Sequence, residues 1–180
     1  VQVASLVLGS TGAYLAARSL FRGLARPLIV SMAALAAAAL YDFTPLRMRE
    51  LFSQGNLSQL LALSILPWCL WALVAAARGA GNASGRDSAN GRGDTSSRDS
   101  ANRAGSGSPA PTAAAVAGSG ALLAALLYAH HPTAFLAYPL LGLLALAVAL
   151  LEGEEHRWRA VGRVAGAFVL GLLLSAPFVV

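Results

Sequence analysis

Apolar residues in this chain come in long blocks, and polar residues gather between them. Residues 1–17, 57–77, 113–129, 133–151 and 164–180 contain no Asp, Glu, Lys or Arg. Blocks of about 17–21 apolar residues have the length that carries a helix across a bilayer. The pattern predicts six spans, at 1–17, 27–43, 57–77, 111–129, 133–151 and 164–180. The fold class expected is therefore all-α, a polytopic transmembrane helical bundle.

The connections refine this picture. Pro27 suits the first position of a helix, where its missing N–H costs nothing. Ala33, Ala37 and their neighbours in the second span would let another helix approach closely. The connection 42–56 opens with Thr44 as a helix cap and Pro45 at a first helical position. Met48, Leu51 and Phe52 then share one face, with Arg47, Glu50 and Gln54 on the other. Such a segment is expected to lie in the membrane interface with its apolar face down. Gly55 can end it, and Asn56 can cap the third span with Gln59 in the capping-box position. Pro67 inside that span frees a carbonyl and is expected to kink the helix. Residues 130–133, His-His-Pro-Thr, leave room only for a tight reversal. The connection 152–163 is read as a charged loop with Trp158 as an interfacial anchor. Gly162 and Gly166 have the GxxxG spacing of a helix-packing site.

Residues 78–111 are Gly, Ser, Asn, Asp and Arg with almost nothing apolar, and the five-residue string RDSAN occurs at 86–90 and again at 98–102. A tract of this kind cannot bury enough surface to fold, so it is expected to be a disordered linker between spans 1–3 (residues 1–77) and spans 4–6 (residues 112–180).

Composition supports a membrane protein and excludes several other classes. The chain is 57% hydrophobic and only 12% charged, too few charges to cover a soluble domain of this size. A net charge of +5 raises the possibility of nucleic-acid binding, but no stripe of Arg alternates with aromatic residues as such binders require. The single cysteine, Cys69, cannot form an intrachain disulfide. No signal peptide is recognisable. The sequence starts and stops inside apolar runs and reads as a piece of a longer protein.

All thirteen basic residues are arginine. With six spans, eleven of them fall on one side, in 18–26, 78–111 and 152–163, and only Arg47 and Arg49 on the other. That bias puts the arginine-rich side, with the linker, in the cytoplasm of a cell membrane. The loops 42–56 and 130–133 then face outward.

Chemistry is sparse. No phosphate-binding glycine loop, zinc set or Ser/His/Asp pattern occurs. Two readings fit Arg47, Arg49 and Glu50. They can be interfacial charges that reach to water and hold the loop's depth. Alternatively, Arg47 or Arg49 binds a phosphate or pyrophosphate headgroup in bidentate fashion, with Glu50 orienting the arginine or helping to bind a metal or a sugar hydroxyl. His130 and His131 are adjacent, which is not metal-pair spacing. They form a polar turn, or one imidazole faces a lipid-phosphate or metal site.

The stretch YDFTPLRMRELFSQGNLSQLLALSILPWCLWAL, residues 41–73, together with HHPTAFLAYPLLGLLALAVALL and GLLLSAPFVV, resembles prokaryotic multi-pass proteins described as 6-pyruvoyl-tetrahydropterin-synthase-related membrane proteins. The zinc-binding histidines of the soluble pterin enzyme are missing here. By architecture that family is similar to the GT-C glycosyltransferases, which use polyprenyl-phosphate-linked sugars at the outer membrane face. The resemblance implies substrate-facing residues at Arg49, Glu50 and His131. It places the principal catalytic acid in a loop upstream of Val1, and allows for a divalent metal. The alternative is a non-enzymatic transporter, lipid-handling subunit or scaffold. Mid-span prolines suit a transporter, but no ionisable residue lies deep in a span.

Overall fold

The computed structural model describes residues 2–49, 56–79, 110–152 and 154–178. Among these residues the regular secondary structure is entirely helical. The helices are α1 (Gln2–Leu20), α2 (Pro27–Asp42), α3 (Pro45–Arg49), α4 (Leu57–Arg78), α5 (Ala110–Ala129), α6 (His131–Leu151) and α7 (Glu154–Ser175), closed by a 3-10 turn, Ala176–Phe178. Three of them, α4, α6 and α7 from His156 onward, are long and apolar enough to cross a membrane, while α2 and the apolar part of α5 are shorter. Glu50, Gly55 and nearly all of the 78–111 linker lie outside the described residues, so the expected disorder of that tract is not addressed.

The bundle runs in order from α2 through α1 to α4, and α4 meets α5, α6 and α7. Its main core lies among the last four, where Leu73, Leu123, Leu126, Leu141, Ala145 and Ala167 are buried. On the α1 side the packing is tighter and more polar. Ser5, Gly9, Gly12, Ala13 and Ala16 form the buried stripe of α1. Small residues let backbones approach, which matters where lipid removes the hydrophobic drive between helices. The Ser5 and Ser64 hydroxyls lie 2.6 Å apart, and Ser64 Oγ donates to the Ser5 carbonyl at 2.9 Å. Trp68 lays its indole against Gly12 and donates Nε1–H to the Leu8 carbonyl at 2.8 Å.

Pro67 frees a carbonyl inside α4. It leaves the Leu63 carbonyl, four residues back, without its helical donor, and the Tyr41 hydroxyl donates to that oxygen. Asn56 caps α4, accepting from the Gln59 N–H at 3.4 Å and from the Ser58 hydroxyl at 2.8 Å. At the other end Gly79 sits in the left-handed region at φ +70°, as a glycine after a helix often does.

Three expectations are corrected and one is refined. The connection 152–163 is not a loop, because α7 begins at Glu154. Its charged residues are good helix formers and need only stand outside the apolar zone. The close face of the alanine-rich α2 is centred on the neighbours of Ala33 and Ala37: Val30, Ala34 and Ala38 are buried, Ala37 is half-buried and Ala33 is exposed. Gly162 has no neighbour within 4 Å, whereas a Cβ on Gly171 would meet Leu123 Cβ at 2.9 Å and the Gly120 carbonyl oxygen at 3.2 Å. The close α5–α7 crossing is thus at Gly120 and Gly171. Finally, Thr44 turns its hydroxyl back to the Tyr41 carbonyl at 2.9 Å, so it fastens the end of α2.

Candidate functional site at the polar end of the bundle

The short helix α3 is folded back onto α1 by a single side chain. Arg47 is 1% exposed, the largest fully buried side chain among the described residues. This inverts the expected orientation of the 42–56 segment, in which Arg47 was to face water and Met48 the membrane. The reason is a set of acceptors that the segment itself does not contain. Arg47 Nη2 donates to the Ser5 carbonyl at 2.7 Å and approaches the Leu6 carbonyl at 3.5 Å. Its Nε lies 3.4 Å from Asp42 Oδ1, and its guanidinium sits 4.9 Å from the centre of the Tyr41 ring, within cation–π range. Asp42 in turn accepts from the Ser10 hydroxyl through Oδ2.

The cluster joins α1, α2, α3 and α4 at one point, because Tyr41 also reaches the carbonyl freed by Pro67. It is incompletely satisfied. The Nε–Oδ1 contact is a charge contact without hydrogen-bond alignment, and Arg47 Nε, Arg47 Nη1 and Asp42 Oδ1 have no hydrogen-bond partner among the described residues. Nη1 is instead pressed against Gly9, where a Cβ would lie 2.2 Å from it. No space remains at Nη1 for a phosphate oxygen. The arrangement is a charge-neutral fastening of buried groups, and not an open anion cradle.

Arg49 is exposed at the end of α3. His131 is exposed as the first residue of α6. His130 forms the expected tight reversal as the cap of that helix, with Nδ1 2.8 Å from Thr133 Oγ1 and 3.3 Å from the Thr133 N–H. The structure does not gather these residues into one site. Arg47 belongs to α1 and α2, His131 to the α5–α6 break, and Glu50 lies outside the described residues. Among the described residues no three His, Cys, Asp or Glu side chains are placed to hold a metal ion. An apolar groove of about 190 Å³ lies between the starts of α1 and α4, lined by Ala4, Ser5, Leu8, Leu57 and Leu61. Its lining suits a hydrocarbon chain and offers almost no polar group to a ligand.

Sequence reasoning missed Asp42 and Ser10 as partners of Arg47. Asp42 lies five residues before Arg47, a usable hint, but Ser10 is remote and nothing local marks it.

The chain matches no protein-family model, no curated protein and no solved structure.

Proposed function

We propose that this chain is the membrane-embedded part of a multi-pass protein, with six spans and its arginine-rich end in the cytoplasm. One observation carries the reading: the helices alternate in direction so that the connections sort by charge. At one end Arg78 donates to the carbonyls of Ser19 and Leu20 and pairs with Glu152 at 3.6 Å, while Arg163 donates to the Ala76 carbonyl at 3.2 Å. These contacts bring the ends of α1, α4 and α6 and the start of α7 to a common level. At the opposite end lie the Ser5–Ser64 contact, the Arg47 cluster and the Tyr128 hydroxyl, which donates to the Leu174 carbonyl at 2.9 Å. Of the arginines among the described residues, only Arg47 and Arg49 belong to that end, and this is the charge bias that orients a membrane protein.

The orientation has a direct test. In a variant with Cys69 replaced by serine, a cysteine at Ser53 is expected to react with an impermeant thiol reagent in intact cells. A cysteine at Ser96 is expected to stay protected. Labelling at Ser96 alone reverses the orientation and removes the outward-facing site.

Within that frame the function we put forward is a part in GT-C-like glycosyl transfer from a polyprenyl-phosphate-linked sugar at the outer face. Its support is the sequence resemblance, together with the exposed Arg49 and the apolar groove at the same end. Arg49 would stabilise the departing phosphate. In the full-length protein, Arg49→Ala is expected to lower sugar transfer about 10²-fold while the folded protein persists in the membrane. Unchanged transfer removes Arg49 from the site. A second reading, a non-enzymatic scaffold or lipid-handling subunit, is favoured by one observation: Arg47, a leading phosphate candidate, is spent on internal packing.

A further inference from the structure

We infer that the arginine-rich end of the bundle is a binding surface for anionic phospholipid headgroups, built from two arginine clusters that each surround an exposed apolar side chain. The inference rests on the membrane-embedded reading above and adds a ligand to it.

The first cluster is at the start of α7. Trp158 is 78% exposed. It lies opposite the buried stripe Ala160, Val164, Ala167 and heads an exposed column that continues through Gly162, Ala165, Val169 and Leu172. That column is the face a lipid acyl chain would run along, so Trp158 stands where the chain meets its headgroup, the level at which indoles concentrate. Arg157 and Arg159 flank it. Arg159 is exposed, and Arg157 is half-buried with an Nε that has no hydrogen-bond partner among the described residues. The second cluster is the turn from α1 to α2. Leu24, 75% exposed, sits between Arg22 and Arg26, and Arg18 is exposed one turn before. Gly23, at φ +88°, makes this turn.

Both clusters are at the same level, because Arg78 joins Ser19 and Leu20 at the end of α1 to Glu152 just before α7. Arg78 and Arg163 are engaged in that internal fastening, whereas Arg18, Arg22, Arg26 and Arg159 are exposed to the surroundings and Arg157 is half-buried beside Trp158. Charge complementarity selects the occupant. Guanidinium groups beside apolar anchors match a phosphodiester headgroup on acyl chains. A soluble anion would use the arginines and leave Trp158 and Leu24 without a role.

The test uses the full chain reconstituted in nanodiscs of phosphatidylcholine mixed with phosphatidylglycerol. Lipid retained through detergent extraction is expected to be enriched in phosphatidylglycerol about fivefold over the bulk, the share that one near-surface arginine contributes. The enrichment is expected to fall with salt. It should return to the bulk ratio in a variant carrying R18Q, R22Q, R26Q, R157Q and R159Q that keeps its helical content and resists alkaline extraction from membranes. Equal enrichment in the variant overturns the proposal, as does displacement of the lipid by inorganic phosphate beyond that by chloride at equal ionic strength. Wild-type protein that resists alkaline extraction yet shows no enrichment overturns the lipid site alone. Wild-type protein that is stripped from membranes overturns the embedded reading, and the lipid site with it.

Discussion

Asp42→Ala is expected to destabilise the bundle by about 3–5 kcal/mol, the usual effect of leaving one member of a buried ion pair without its partner. The positive charge of Arg47 would stay at 1% exposure, held among the described residues by the Ser5 and Leu6 carbonyls and the Tyr41 ring. Those contacts help a guanidinium but do not neutralise it. The chain would respond by expelling Arg47, and α3 would leave α1 with it.

Arg47→Met should be milder. The carboxylate left behind is 25% exposed and retains the Ser10 hydroxyl, so it keeps part of its solvation. An unbranched thioether can fill much of the vacated space beside Gly9. The double variant, Asp42→Ala with Arg47→Met, should therefore recover most of what Asp42→Ala alone loses, since replacing a buried pair with apolar groups is often close to neutral. Unfolding midpoints in detergent micelles give the comparison. Equal losses for the two single variants, or a double variant no better than Asp42→Ala, would refute the fastening role. The same series separates two uses of an arginine at this end. If Arg47 serves only the fold, any loss of activity in its variants should track the loss of folded protein, whereas Arg49→Ala should lose activity in a fully folded population.

What could be read from the sequence depended on whether the physics was local. The helical class and the places of the long apolar helices were legible because length and the absence of charge are properties of a contiguous run. The Asn56 cap was legible too, since its partner Gln59 lies three residues on. So was the break at His130, because Pro132 follows it so closely. The side of α3 that faces inward was not legible. The wheel of 45–54 assigns Arg47 to water, and it becomes the buried face only because α1 brings in backbone acceptors more than forty residues distant. The start of α7 was misread for a related reason: charge marks the edge of an apolar zone, which need not be the edge of a helix. As for the candidate site, the sequence located polar residues at one end of the bundle. It could not tell an arginine engaged with the fold from one turned outward.

Helix crossings depend on the same distinction, and Gly171→Leu should show it. This change is expected to cost about 1–3 kcal/mol, the range for forcing extra volume into a close-packed contact. A Cβ at Gly171 would lie 2.9 Å from Leu123 Cβ and 3.2 Å from the Gly120 carbonyl oxygen. Both neighbours belong to or adjoin the α5 backbone, so neither can rotate aside and the two helices must separate. Separation is costly here because helices in lipid associate mainly through packing. Gly120→Ala should cost less, since it adds a single methyl, and the two nearest atoms it meets, Leu170 Cδ2 and Cγ at 2.9 Å, can move with a change of rotamer, leaving Leu170 Cβ at 3.0 Å as the fixed contact. Gly162→Ala should be neutral or stabilising, because nothing lies within 4 Å and alanine favours a helix over glycine by about 1 kcal/mol. The order expected from unfolding midpoints in micelles is therefore Gly171 worst, Gly120 intermediate and Gly162 harmless. If Gly162 proves the sensitive position instead, the Gly162–Gly166 pair is the real contact, and α7 must be turned about its axis relative to α5. Trp158, four residues before Gly162 on the same face, would then turn inward, and the lipid-facing column proposed for α7 would fail along with the crossing.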